Sequence, residues 1–259
     1  MRVWVLALGL LWAGTAHAAA VMDGVRPWSG GAVPYHFEPA LLQQAGAKGA
    51  DCREWSRWRA GPAKQACQAM AEWTRVSGVR FVPDAKRLDS VSIVRGAATT
   101  GTIGRLPAGN RVTIEPGVTY GSVLHEFGHV LGLMHEHQRP DRDDYLRFEP
   151  FLTALLQRCT FLTEVCRDVR LAFPKVGVRA KTDYDPCSLM HYLANQAPRH
   201  PQDKRWARIF SLTDKGQARL KTCQGQFAAL PARCRKVGQK CAVSKLDAEL
   251  VRRFNGVVD

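Results

Sequence analysis

No stretch of the 259-residue chain is apolar for long enough to span a bilayer, which takes roughly 20 residues, so no membrane span is expected. No repeat or low-complexity tract is present, and the composition is that of an ordinary globular protein. A disordered tail protein, a collagen-like chain and a coiled coil are thereby excluded. No C-x-x-C pair occurs, which argues against a zinc site built from cysteines. The chain has no N-x-Ser/Thr sequon and no RNA-binding or helix-turn-helix signature, so no specific nucleic-acid partner is expected. Acidic residues are scarce, 23 against 37 Lys and Arg, and the net charge is +14. Such a surface can adhere weakly to polyanions or an anionic envelope. A plain solvated basic surface explains the scattered charges better.

The longest apolar run, Val3 to Gly14, follows Met1-Arg2 and ends at Ala16-His17-Ala18, a small-x-small cleavage pattern. Residues 1–18 therefore read as a secretory signal peptide, with a buried N-terminal helix as the alternative. Export to the extracellular space or periplasm follows. Eight cysteines, Cys52, Cys67, Cys159, Cys166, Cys187, Cys223, Cys234 and Cys241, all lie after that cut, as disulfides in an oxidising compartment would. Their connectivity is not legible. Cys52 with Cys67 and Cys159 with Cys166 are candidate local pairs.

Ala32 to Phe37 predicts a first strand, irregular at Pro34. A loop over 46–61 precedes a helix over 63–77, with Ala66, Ala69, Met70, Trp73 and Val76 at helical spacing and Gly78 as its stop. Strands are predicted at 79–82, 90–94 and 111–114. Beyond His135 regular structure is sparse, with helices expected at 150–156, 213–220 and 245–254.

The segment Val123 to Met134 predicts an apolar helix interrupted by His125, Glu126 and His129. Residues at i and i+4 share a helix face, so two imidazoles can point at one ion. This H-E-x-x-H pattern binds zinc, with the Glu as general base; chance produces it in roughly one chain per hundred. Gly132 can take the positive φ that ends the helix and returns His135 to the same ion. One His on an apolar face is more often a satisfied core residue than a ligand. Three at this spacing beside a Glu reverse that reading. Three neutral imidazoles leave a fourth position open, which marks a catalytic site.

The string His125-Glu126-Phe127-Gly128-His129-Val130-Leu131-Gly132-Leu133-Met134-His135 resembles the metzincin zinc signature. Glu136 to Tyr145 resembles the astacin branch of that clan, in a bacterial-type form. Ser188-Leu189-Met190-His191-Tyr192 resembles the astacin Met-turn. Trp28 to Tyr35, Ala69 to Trp73, Val79 to Pro83 and Ile103-Gly104-Arg105 are similar to further family segments, so the likeness covers about residues 19–223.

The resemblance implies an α+β zincin-like fold. It has an N-terminal lobe over 19–134 with a twisted mixed sheet, two long helices and the zinc-binding helix, and an irregular C-terminal lobe over 135–223. Zinc lies in the cleft between, and residues 224–259 form a basic tail with two cysteines. The resemblance also implies a secreted zinc-dependent endopeptidase, one Zn2+ per chain, acting on proteins or peptides, with a monomer expected. His125, His129 and His135 hold the metal, and Glu126 is the general base for a zinc-bound water. Tyr192 stabilises the oxyanion, Met190 floors the histidines, and Glu136 meets the mature N-terminal ammonium. The alternative is a non-catalytic cationic binding protein on a protease-like scaffold, which has no need of Glu126.

The sequence also departs from the family. Only Ala19 to Pro27 separate the predicted cut from Trp28, so signal removal itself is expected to create the working N-terminus, with Ala19 against Glu136. Gly78 stands where a cysteine is expected, and Pro186-Cys187 replace the usual residues before the Met-turn. The tail beyond Cys223 has no matched counterpart. Arg199, Lys204, Arg205 and Arg208 can line the pocket just past the scissile bond and favour Asp or Glu there; a solvated basic loop fits equally well.

Overall fold

The computed structural model describes residues 20–160, 163–195 and 204–258. The signal-peptide segment, Ala19 and Arg199 lie outside the described residues. The first lobe is built on a five-stranded sheet in the order β3-β2-β4-β6-β5. Its strands are β2 (Ala32–Phe37), β3 (Arg80–Pro83), β4 (Val91–Arg95), β5 (Thr100–Gly101) and β6 (Arg111–Ile114). Parallel ladders join β2 to β3 and β4, and β4 to β6; β5 lies antiparallel on the edge. The sheet is thus mixed, as expected.

Helix α1 (Pro39–Ala45) follows β2, helix α2 is Pro62–Ser77, and α3 is Tyr120–Val130. The apolar spacing of α2 explains its position, since Ala66, Ala69, Met70 and Trp73 are all buried in the lobe core. Gly78 ends it with φ 76°, as the sequence predicts. The Trp73 indole donates to the Leu124 carbonyl at 2.9 Å and so locks α2 against α3.

The second lobe carries β7 (Leu146–Phe148), α4 (Pro150–Arg158), α5 (Glu164–Ala172), β8 (Val178–Lys181), β9 (Phe210–Leu212) and α6 (Asp214–Gln224). Its own core gathers Leu146, Leu152, Val169, Phe173, Tyr184 and Phe210. The N-terminal strand β1 (Ala20–Met22) pairs with β8, and Val21 bridges Leu133, which ties the start of the chain to the turn after α3. No helix among the described residues is long and apolar enough to cross a membrane.

Four disulfides are formed. Two are the local pairs Cys52–Cys67 and Cys159–Cys166, and two are Cys187–Cys223 and Cys234–Cys241.

Three differences from the sequence reading have physical causes. Helix α3 starts at Tyr120, where the Thr119 hydroxyl caps Ser122 N, and it stops at Val130 instead of Met134. Helix α1 lies in a stretch to which the sequence reading assigns no element. Pro39 opens it and Gly46, at φ 66°, closes it. The residues after 239 fold back onto the first lobe, with α7 (Lys245–Phe254) placing Ala248, Leu250 and Val251 in its core. Asn255 fixes that return: its side chain accepts from Trp28 N at 2.8 Å and donates to the Leu131 carbonyl at 3.0 Å.

Candidate metal centre and cleft

Helix α3 buries Val123, Leu124, Phe127 and Val130, which leaves His125 and His129 on the face toward the cleft. Gly132 has φ 102°, and the hydrogen bond from Leu133 N to the Gly128 carbonyl closes the turn. A side chain at 132 would be strained by that φ and would meet the Phe254 ring of α7. The extended backbone at His135 then swings the third imidazole over the other two.

The three rings converge. His135 Nε2 lies 3.2 Å from both His125 Nε2 and His129 Nε2. Their outer nitrogens fix the tautomers. His125 Nδ1 meets the Leu189 carbonyl and His129 Nδ1 the Leu133 carbonyl, each at 2.8 Å. A carbonyl only accepts, so both Nδ1 atoms donate and both Nε2 atoms present lone pairs inward. Gln138 does the same for His135. Its NH2 group is spent on the Leu171 carbonyl, and its Oε1 faces His135 Nδ1 at 3.0 Å. Burial pushes all three imidazoles toward the neutral form, His129 to about 4. Three lone pairs aimed at one point repel unless a cation shares them, and three imidazoles with second nitrogens anchored are a zinc donor set.

Met190 is buried beneath α3 at Gly128, where its sulfur would meet any side chain at that position. Glu126 lines the cleft one residue after His125. Burial pushes its carboxyl up to about 7, against the opposing field of Lys240. Tyr192 packs against the rings of His135 and His137, with centroids at 4.7 and 4.0 Å. Burial and the nearby Glu126 carboxylate raise its phenol to about 12, so it stays a donor.

Glu136 is fully buried. Its Oε1 accepts from Arg139 at 2.9 Å and from Asp185 N at 2.8 Å, whereas Oε2 has no partner among the described residues. Burial raises this carboxyl even beside the Arg139 guanidinium. Arg139 is held in turn by Asp141.

Of the seven residues the family likeness assigns to the site, His125, Glu126, His129, His135 and Tyr192 line one cleft of about 680 Å³, whereas Met190 and Glu136 are buried outside its lining. Reasoning on the sequence missed Gln138, whose place three residues after His135 is a usable signal, and Lys240, which has none. Among the described residues, the basic side chains after the Met-turn, Lys204, Arg205 and Arg208, do not line the cleft. Arg208 pairs with Glu149 at 2.8 Å, Arg205 lies over the Phe151 ring, and Lys204 is exposed.

A family model described as Astacin, a family of peptidases, matches residues 60–254, so it runs through α7 and past the Cys223 limit read from the sequence. Zinc metalloproteinase nas-6 of Caenorhabditis elegans is 23% identical over 168 residues, or 64% of this chain and 41% of that protein. An astacin-like metalloendopeptidase of Mus musculus is 33% identical over 128 residues, or 48% of this chain and 27% of that protein. The chain thus spans less than half the length of these relatives. Among solved structures, high choriolytic enzyme 1, a hatching enzyme zinc-protease from Oryzias latipes, aligns at TM-score 0.59 and 18% identity, over 90% of this chain and 94% of that one. Myroilysin aligns at 0.54 and 15%, over 93% and 100%. At such identities the structural likeness speaks for the fold alone.

Proposed function

The chain belongs to the astacin family of peptidases, and from that premise we propose that it is an exported zinc-dependent endopeptidase. The observation that carries the reading is the set of three inward lone pairs with Glu126 beside them. His125, His129 and His135 would hold one zinc ion. That ion supplies Lewis acidity, lowering the pKa of water toward about 7 and polarising a carbonyl. Glu126 takes the proton of the attacking water and hands it to the leaving nitrogen. The Tyr192 hydroxyl has no hydrogen-bond partner among the described residues. It donates to the oxyanion as the carbonyl becomes tetrahedral. Met190 and Gln138 keep the imidazoles in register.

The unpartnered Glu136 Oε2 supports a further part of the reading. Cleavage after Ala18 would free the Ala19 ammonium, which closes onto that oxygen and completes a buried ion pair. Four disulfides support export.

The test is proteolysis of an unfolded protein by the purified chain, with metal content measured alongside and Glu126→Gln as control. Cleavage at about one zinc per chain, lost in the variant that still holds zinc, is expected. Zinc bound without cleavage would turn the reading toward a non-catalytic binder. N-terminal sequencing of the exported protein should start at Ala19; a start far from it would refute the Glu136 pairing.

A further inference from the structure

Basic residues that look scattered along the sequence are gathered where α6 ends. Between Asp214 and Asp247 the chain has eight Lys and Arg and no Asp or Glu. Lys215 is paired with Asp144, Arg219 with Asp183, Lys240 lines the cleft, and Lys245 opens α7. The other four, Lys221, Arg233, Arg235 and Lys236, are exposed and have no ion pair among the described residues.

The fold brings these four to one rim. After Gln224 the chain turns through Gly225–Phe227 and comes back, so that the turn Ala232–Cys234 faces the helix end. The Gln224 side chain donates to the Arg235 carbonyl at 2.6 Å and pins that return. Cys187–Cys223 anchors the end of α6, Cys234–Cys241 closes the loop, and Gly238 N donates to the Pro186 carbonyl at 3.1 Å. Between helix end and loop lies a hollow of about 490 Å³, lined by Gln224, Gly225, Ala228, Ala232 and Arg235. Lys221 stands one helical turn before Gln224 and Gly225, on the same face of α6. Arg233 and Lys236 directly adjoin the lining residues Ala232 and Arg235 in the chain.

Four cations on a braced rim repel one another, and salt screens only part of that. The dipole of α6 accounts for Lys221, near its C-terminus. It does not account for the three on the loop. An anion in the hollow relieves the repulsion, and arginine offers a forked pair of donors to a carboxylate or sulfate. The floor selects the class of anion. Phe227, the one aromatic residue between Asp214 and Asp247, is buried, so no ring is offered to stack a base. The exposed large apolar side chains among the described residues, Val82, Leu88, Leu106, Leu171 and Val258, all lie outside this segment, so none is placed here to enter a lipid surface. A sugar ring needs neither. It can lie against Gly225, Ala228 and Ala232 while its acidic group reaches the rim.

We propose that this rim is a second binding site, for an acidic polysaccharide whose carboxylate or sulfate groups meet Lys221, Arg233, Arg235 and Lys236. None of the four lines the cleft, so the site goes beyond the peptidase reading and stands without it.

The test titrates the zinc-loaded full chain with fluorescein-labelled heparin fragments at rising salt. Four contacts give a log–log salt slope of about −3, so affinity should fall roughly sixtyfold between about 50 and about 200 mM salt. Lys221→Gln, Arg233→Gln, Arg235→Gln and Lys236→Gln together should lower affinity by about thirtyfold or more at low salt and flatten the slope. The control changes Arg57, Arg80, Lys86 and Arg95, four exposed and unpaired cations of the first lobe, to Gln. It removes the same charge and should stay within about twofold of wild type. Equal losses in both variants overturn the site, because diffuse charge then explains the binding. Failure of the wild type to bind at about 50 mM salt overturns it as well. Tighter binding to phosphatidylglycerol vesicles or to single-stranded DNA than to heparin gives the rim another partner and refutes the polysaccharide. Both variants should melt with the wild type. If the fourfold site variant melts early, Lys221→Gln with Lys236→Gln decides: half the slope should go, and an unchanged slope refutes the proposal.

Discussion

Asp247 on α7 reaches the metal centre through the Met-turn, and its removal should be felt at the zinc. Its carboxylate accepts from the Ser188 hydroxyl at 2.7 Å and from Leu189 N at 2.9 Å. The Leu189 carbonyl takes His125 Nδ1, and the Ser188 oxygen accepts from Met190 N at 2.9 Å. All of this is buried. Asp247→Ala leaves two donors without an acceptor in a dry site, at about 1–3 kcal/mol each. Part of that is returned, because Asp247 and Asp185 are neighbouring buried carboxyls that raise each other's cost of ionising. A net loss of about 2–4 kcal/mol lowers the melting temperature by about 5–10 °C in a chain of this size. Asp247→Asn keeps one acceptor and should lose about half as much. Loosening the Leu189 carbonyl frees the His125 ring, so zinc affinity should fall by about ten- to a hundredfold. The assays are thermal melting of the apo chain and zinc competition against a chelator. An Ala variant that melts early yet keeps wild-type zinc affinity would falsify the link from α7 to the metal. One that melts like wild type would sink the whole argument.

Four further outcomes follow from other sites. Stripping zinc with a chelator should abolish cleavage and, if zinc had stood a thousandfold above its Kd, remove about 4 kcal/mol of stability, read as a lower melting temperature. Cys187→Ser with Cys223→Ser opens a bridge spanning 36 positions and should cost about 3–4 kcal/mol in denaturant unfolding; a loss under about 1 kcal/mol would show the segment is held by packing alone. Burial pushes Asp141 up, but Arg139 and Lys181 outweigh it and bring the carboxyl down to about 2. A depressed pKa means stability present above about pH 4 and lost as pH falls toward 2. Because a quarter of the side chain meets water, about 1–2 kcal/mol is at stake, and Asp141→Asn should flatten that limb of the stability profile. Asn255→Ala strands Trp28 N–H and the Leu131 carbonyl and should cost about 2–4 kcal/mol, measured by urea unfolding.

The site was legible where its geometry is local. His125 and His129 are placed by helical spacing, and Gly132 announces the turn that brings His135 back. Met190, Tyr192 and Glu136 came from the family likeness of short strings, because nothing in a lone Met or Tyr says what it packs against. Lys240 was illegible for a different reason. It lines the same cleft as Glu126 only because the chain returns from the second lobe, and a long-range return leaves no periodicity. Strands β2, β3, β4 and β6 were readable from β-branched and apolar runs, whereas β5, in a stretch rich in Gly and Thr that reads as loop, and β1 and β8 are too short to carry a pattern and find their partners through their neighbours. Helix α1 was missed although Pro39 and Gly46 mark both its ends, since its seven residues give little room for a helical repeat.

The clamp between Trp28 and Asn255 joins positions separated by 227 residues. A chain that emerges from its N-terminus onward therefore carries all three histidines long before the core they stand on can close. Leu250 and Val251 must arrive first to cover that core, and Asp247 to brace the Met-turn. Synthesis thus lays down the candidate metal centre in parts and completes its support only once α7 has been made.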